Sequence, residues 1–406
     1  MKSGTWSLVV AVAVLVMGRA SGGAAAIRVA PDGTGDFTAI QPAIDAAVDG
    51  DAVVVAAGEY IVAEPVDFGG KAIALRAEAG AVETTIRMSE TPSDPKRASV
   101  VMFAAGESEA ASLEGFTLTG GRGTFTDAPQ CEVGPDAFDC VGGEAWVGGG
   151  LFCERGARPS IINCRITGNV SDKGAGVFCR SSASFLNCVI AGNLAREQVG
   201  DAIYCPDPPW PSLRSCTIGG RRYATAPLYA RPSADNCLLW GSEGNVRVGR
   251  SNMHVDPATE LVDAAGGDYR PRPGSIAIDA GTSEGAPSFD LDGHVRPCGR
   301  WVDVGAYEVG DCGPQPRFRR GDASADGKAN LTDAILTLSH LLLGGEDLPC
   351  DKAADADDTK GLTLGDAVYL LEFFFRDGAP PPPPFPECGW DPTVDVLDCR
   401  SYPGCR

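Results

Sequence analysis

The side chains best spaced for chemistry lie in the stretch GDASADGKANLTD, residues 321–333. Counted from Asp322 as position 1, Ser324 stands at 3, Asp326 at 5, the Lys328 carbonyl at 7, Asn330 at 9 and Asp333 at 12, with Gly327 at the sharp turn. Oxygen donors at that spacing wrap a hard divalent cation that takes six to eight oxygens, so Ca2+ is the expected ion. The pattern recurs 33 residues later, with Asp355, Asp357, Thr359 and Asp366 at positions 1, 3, 5 and 12. Lys360 stands where the glycine belongs in the second loop, so the first loop is expected to bind the ion more tightly. Each loop runs into an apolar stretch with helical spacing. Leu331, Ile335, Leu338 and Leu342 in the first match Leu364, Val368, Leu371 and Phe375 in the second, and these faces are expected to pack on each other.

The 406-residue chain carrying these loops is long enough for more than one domain, and its 44% hydrophobic content can fill a core. Lys2, the apolar run from Leu8 to Met17 and the small-residue stretch SGGAAA read as an export signal over residues 1–26. The mature protein is therefore expected to be secreted, extracellular or at the cell surface. That run is shorter than the ~20 apolar residues a spanning helix needs, so an integral membrane protein is not expected. A net charge of −20, without any Lys/Arg-rich run, excludes nucleic acid as an expected partner.

The central region is repetitive. GGGLFCERGARPSIINCRITGN (148–169), GAGVFCRSSASFLNCVIAGN (174–193) and GDAIYCPDPPWPSLRSCTIGG (200–220) align on their cysteines. Cys153, Cys179 and Cys205 recur at 26 and 26 residues, and Cys164, Cys188 and Cys216 at 24 and 28. Each unit reads as two short strands joined by Gly, Asn or Pro turns. Units of this length without a helix must stack strand on strand, which predicts a parallel β-helix. Equivalent positions then lie ~4.8 Å apart, so the cysteines are expected to form inward columns of free thiols. Asn163, Asn187 and Asn236, each just before a cysteine, are expected to form a ladder at a turn. Cys131 and Cys140 are close enough in sequence to pair, and Cys298, Cys312, Cys350, Cys388, Cys399 and Cys405 are expected to staple the C-terminal loops.

The opening segment, IRVAPDGTGDFTAIQPAIDAAVDGDAVVVAAGEY, and the segment GDYRPRPGSIAIDAGTSEGAPSFDLDGHVRPCGRWVDVGAYE resemble the two ends of bacterial exported proteins with the pectin-lyase-like fold. The resemblance covers residues 27–309 and implies a right-handed parallel β-helix, with AIQPAIDAAV as a cap helix over its open end. The duplicated loop and helix over 318–379 is similar to a type I dockerin. That similarity implies a small all-α calcium-binding domain and a cohesin-like protein partner, met by Leu331 and Thr332 in one unit and Leu364 and Gly365 in the other. Residues 310–317 then read as a linker and 380–406 as a stiff Pro-rich, Cys-containing tail.

The pectin-lyase-like fold hosts polysaccharide lyases and glycoside hydrolases, yet the QDT and DFIFG motifs of pectin methylesterases and the NTD and GHG motifs of polygalacturonases do not occur. Asp172, Lys173, Arg180 and Asp201 on the central coils offer a base and cations for such chemistry; an ordinary polar exterior is the alternative. Phe125, Trp146 and Trp210 offer flat rings for pyranose faces, with loop anchoring as the alternative. Two functions follow. One is an exported β-helix that binds or processes polysaccharide and docks through its calcium module. The other is a non-catalytic adhesive repeat protein at the cell surface.

Overall fold

Two β-branched or aromatic residues between turn residues are enough for a strand when a neighbouring coil supplies the pairing, and this chain is built that way. The computed structural model describes residues 25–128, 130–133, 138–141, 143–206, 208–220, 228–229, 233–241, 247–248, 251–310, 317–345, 347–359, 361–391, 397, 399 and 401–405. The coil that begins at Ser160 runs through four strands, Ser160–Ile162, Arg165–Ile166, Val170–Lys173 and Val177–Cys179. Each pairs in parallel with the next coil: Ser160 opposite Ser184, Arg165 opposite Val189, Val170 opposite Leu194, Val177 opposite Ile203. Among the described residues the coils form sheets of nine, eight and six strands, with a five-stranded sheet along a fourth side. The molecule is mainly β, and its first domain is a parallel β-helix.

Two strands per repeat were expected, and four are found. The two extra strands per coil include polar sequences such as VSDK, which has no apolar run and is held by ladder bonds to adjacent coils. In the five-stranded sheet, Gly123–Asp127 and Glu144–Val147 pair antiparallel, where the insertion after residue 120 leaves the stack.

Cys153 lies opposite Cys179 in register, and Cys153, Cys164, Cys179, Cys188, Cys205, Cys216 and Cys237 are all buried and free. Burial pushes the Cys164 thiol up to about 12. Native protein is therefore expected to resist thiol alkylation at these seven positions over hours and to react fully in denaturant. Peptide mapping that finds rapid native labelling at Cys153, Cys179 or Cys205 would contradict the inward register. The asparagines before the cysteines turn the corner: Asn163, Asn187 and Asn236 have φ of 52°, 57° and 54°. Asparagine tolerates this left-handed conformation better than most residues because its short side chain bonds locally. Asn187 Nδ2 donates to Asn163 Oδ1 at 2.8 Å, while Asn236 bonds the backbone of Thr282 instead. A second ladder was not foreseen: Asn169 Nδ2 donates to Asn193 Oδ1 at 3.0 Å, and both residues are buried.

The cap helix spans Ile40–Ala46 and buries Ile40, Ala43 and Ile44 against the first coil. It thereby covers the hydrophobic end of the stack. At the other end, residues 253–309 fold along the flank, where Tyr269, Leu291 and Tyr307 pack with Val189, Leu238 and Trp240. No helix among the described residues is long and apolar enough to cross a membrane. The expected export signal lies outside the described residues, except for Ala25 and Ala26, as do the expected linker residues 311–316 and the side chains of Cys131 and Cys140. The backbone register does place Cys131 opposite Cys140.

Candidate functional site

In the C-terminal module, one carboxylate closes each loop and also starts each helix. Asp333 accepts the Ser324 N–H at 2.9 Å through Oδ1 and the Asn330 N–H at 2.8 Å through Oδ2. Asp366 repeats this, accepting the Asp357 N–H at 3.3 Å and the Thr363 N–H at 2.8 Å. Asn330 and Thr363 are N-caps of the helices Leu331–Leu343 and Leu364–Phe375, and Asp333 and Asp366 complete their capping boxes. At position 1, Asp322 Oδ1 accepts the Asp326 N–H at 3.2 Å, and Asp355 Oδ1 accepts the Thr359 N–H at 3.1 Å.

Asp322, Asp333, Asp355 and Asp366 are fully buried. In the second loop, carboxylate oxygens of Asp355, Asp357 and Asp366 all lie within 4.8 Å of one another. Burial, then the nearby charge of Asp366, pushes Asp355 up to about 7. In the first loop Ser324 Oγ donates to Asp322 Oδ1 at 3.1 Å, Asn330 Nδ2 donates to the Lys328 carbonyl at 3.1 Å, and Asp326 is exposed. This all-oxygen set, rich in mutually repelling buried carboxylates, fits a hard divalent cation. The residues that would hold it are Asp322, Ser324, Asp326, Asn330, Asp333 and the Lys328 carbonyl, and then Asp355, Asp357, Thr359 and Asp366. Lys360 lies outside the described residues. The departure from the loop pattern there does not prevent the second-loop carboxylates from converging.

The helix faces are arranged otherwise than expected. The helices meet through Ala334, Ala367 and Leu370, with Leu338 and Leu371 half-buried beside them. The larger apolar residues face outward in matched pairs: Leu331 and Leu364 are 43% and 47% exposed, Ile335 and Val368 57% and 50%, Leu342 and Phe375 62% and 66%. Small residues at the contact bring the backbones close and leave no room for the branched side chains between them. Thr332 and Gly365, beside the first pair, are exposed as well.

The polar residues of the central coils are committed to the coils themselves. Lys173 is buried, donates to the Ala128 carbonyl at 3.2 Å and lies 3.5 Å from Glu197. Asp201 is fully buried and accepts the Ala195 N–H at 2.8 Å. Asp172 accepts the Trp146 N–H at 3.2 Å and pairs with Arg196, while Arg180 pairs with Glu154 at 3.9 Å. Of the three candidate sugar-stacking rings, Phe125 and Trp146 touch, with centroids 4.5 Å apart and planes tilted by 53°. The Trp146 indole N–H donates to the Pro95 carbonyl, and Trp210 packs separately against the core of the stack.

A better-formed cavity lies where the C-terminal segment meets the β-helix. Trp390 is seated against two glycines, since a Cβ on Gly80 or Gly293 would meet its indole at 3.2 and 3.1 Å. A pocket of about 570 Å³ opens beside it, lined by Arg165, Arg270, Asp268, Asp292 and Tyr307 among others. Arg270 Nε donates to Asp268 at 2.8 Å, and Arg165 donates to the Gly267 carbonyl at 3.5 Å. Burial and the charge of Asp290 raise Asp292 above the ordinary carboxylate range, against the pull of both arginines. Trp390 also lines a second groove of about 410 Å³ with Arg76, Glu114, Phe289 and Phe385. Sequence reasoning missed this place because its parts are spread along the chain from Ala79 to Trp390. The lone tryptophan in ECGWD was the available signal.

No family model matches the chain, and no curated protein matches it. Among solved structures, pectin methylesterase from carrot is similar, with 15% identity and a TM-score of 0.35 over 58% of this chain and 84% of that one. Pectin methylesterase from Aspergillus niger shows 17% identity and a TM-score of 0.32, covering 66% of this chain and 93% of that one. The pectate lyase Pel9A shows 12% identity and a TM-score of 0.29, covering 71% and 97%. Similarity this distant carries no argument about activity, and the β-helix assignment rests on the strand pairing described above.

Proposed function

We propose that the protein is exported, binds extracellular polysaccharide along its β-helix, and docks through a calcium-ordered, dockerin-like module to a cohesin-like partner. The observation that carries the docking half is the duplicated loop and helix with three matched apolar pairs turned to solvent. A soluble helix pair with this much exposed apolar surface is built for a protein partner. Leu331, Thr332, Leu364 and Gly365 stand at the start of that surface. The docking half predicts capture by cohesin domains in millimolar calcium and release by chelator; chelator-insensitive capture, or none across the cohesin types, would reject it.

For the polysaccharide half, the pocket beside Trp390 combines an indole face with two guanidinium groups and carboxyls, a set that suits sugar rings and their hydroxyls. Binding without catalysis is favoured, because Lys173 and Asp201 are tied into the coils. Trp390→Ala is expected to weaken polysaccharide binding at least ~10-fold, or about 1.4 kcal/mol, in a panel of acidic and neutral glycans. Unchanged affinity of this variant for every glycan that the parent binds would remove the pocket from the account. New chain ends in the digest would restore the enzymatic alternative.

A further inference from the structure

The stiff Pro-rich tail expected over 380–406 folds back over the calcium module. The backbones of Phe318 and Gly389 exchange two hydrogen bonds at 3.0 Å, and disulfides Cys350–Cys399 and Cys388–Cys405 tie the segment down. Its end reaches the first loop. Tyr402 is buried, and its hydroxyl donates to Asp322 Oδ2, the same oxygen that accepts the Gly327 N–H at 2.7 Å. The other oxygen of Asp322, Oδ1, meets only groups of the loop itself, Ser324 Oγ and the Asp326 N–H, among the described contacts. Gly404 lies directly on the loop's turn, where a Cβ would come within 2.6 Å of the Gly327 nitrogen.

The same segment reaches the second loop by another route. Asp391 is buried and accepts Arg320 at 2.7 Å and Lys352 at 3.0 Å, one on each oxygen. Arg320, fully buried, donates to the Asp355 carbonyl at 2.8 Å and pairs with Asp358 at 3.0 Å. Asp355 and Asp358 are positions 1 and 4 of the second loop. Two loops that repeat at 33 residues are thus braced by unrelated contacts, one made by Tyr402 itself and one made by Arg320 with Asp391 behind it.

We infer that Tyr402 is a positioning residue for the first calcium loop and that Asp391, acting through Arg320, is one for the second. The disulfide-tethered segment is then a working part of the calcium module. This inference rests on the calcium reading of the loops given above. The physical reason is orientation. Two donors on Asp322 Oδ2 hold the carboxylate in one rotamer with Oδ1 turned into the loop, so the ion need not order it on arrival. Groups that orient a metal-binding carboxylate from behind typically change affinity 10–100-fold when removed. By linkage, calcium must hold the segment in place by the same factor.

The test is calorimetric titration of the full chain with calcium, in a Asp366→Ala background that leaves the first loop and a Asp333→Ala background that leaves the second. Tyr402→Phe removes one oxygen and keeps the ring. It is expected to lower affinity 10–100-fold in the first background and to change it less than twofold in the second. Asp391→Asn is expected to lower affinity chiefly in the second. Because a buried substitution can disturb folding, Cys388→Ser/Cys405→Ser, which frees the segment end without touching a loop, is expected to reproduce the Tyr402→Phe loss. A folded Tyr402→Phe chain with parental affinity in the first loop, or equal loss in both loops, would overturn the inference. Absence of calcium binding by the unsubstituted chain would overturn the calcium reading as well.

Discussion

Replacing Arg296 with methionine is expected to cost the β-helix about 3–5 kcal/mol, because it leaves a buried carboxylate without its cation. The side chains of Arg296 and Glu308 are both fully buried and pair at 3.1 Å. Arg296 also donates to the Gly305 carbonyl at 2.8 Å and to Asn187 Oδ1 at 3.1 Å, bolting the closing segment to the asparagine ladder of the stack. Glu308 accepts the Cys298 N–H at 3.0 Å and the Asp303 N–H at 2.8 Å. Burial pushes Glu308 up to about 7 even with its partner present. A folded-state value above the unfolded one gives stability that is complete below about pH 4.5 and is lost as pH rises through about 7. Without Arg296 the value rises further, so the deficit of the variant should shrink as pH falls toward about 7 and stay nearly level below it. Glu308→Met added to Arg296→Met should recover most of the loss. Urea midpoints for the parent, Arg296→Met and the double variant check this; a single-variant loss below ~1 kcal/mol, or no recovery in the double variant, would show that the pair does not bolt the segment.

Calcium removal should have a comparable effect on the C-terminal module. Its core is small, since the helices meet through Ala334, Ala367 and Leu370 and expose their larger residues. Four buried carboxylates stand in its loops. At free calcium ~1,000-fold above the dissociation constant, each ion adds about 4 kcal/mol to the folded state. Chelation should withdraw that from both helices and leave the β-helix unchanged. The pH dependence should also reverse. Asp355 is raised to about 7, and Asp366 is raised too, so the calcium-free module gains stability as pH falls below 7 and loses it as pH rises. The calcium-loaded module needs both carboxylates ionised and should weaken over the same fall in pH.

Features that repeat, or that local chemistry dictates, were legible in the sequence. The cysteine spacing located the coils, and asparagine before Cys164, Cys188 and Cys237 marked a turn, which the structure makes with positive φ. The cap helix was implied by the resemblance of the opening segment, and Ile40, Ala43 and Ile44 form its buried face. The loops stood out because their oxygen-bearing residues recur at the positions that a calcium loop would need. Strands such as Val170–Lys173 were not legible, because a polar sequence becomes a strand only when neighbouring coils pair with it. Nor were the contacts of Tyr402 with Asp322, 80 residues away, or of Trp390 with Gly80, since nothing local records them. Ile335, Leu342, Val368 and Phe375 read as core because apolar periodicity says only that a face is shared. It does not say whether the partner is this chain or another.

The most direct test of the account is amide hydrogen exchange on the full-length protein, with calcium and after chelation. The account predicts that chelation raises exchange about 1,000-fold across residues 331–343 and 364–375 and leaves residues 151–219 of the coils unaltered. Equal protection of both helices with and without calcium would contradict it.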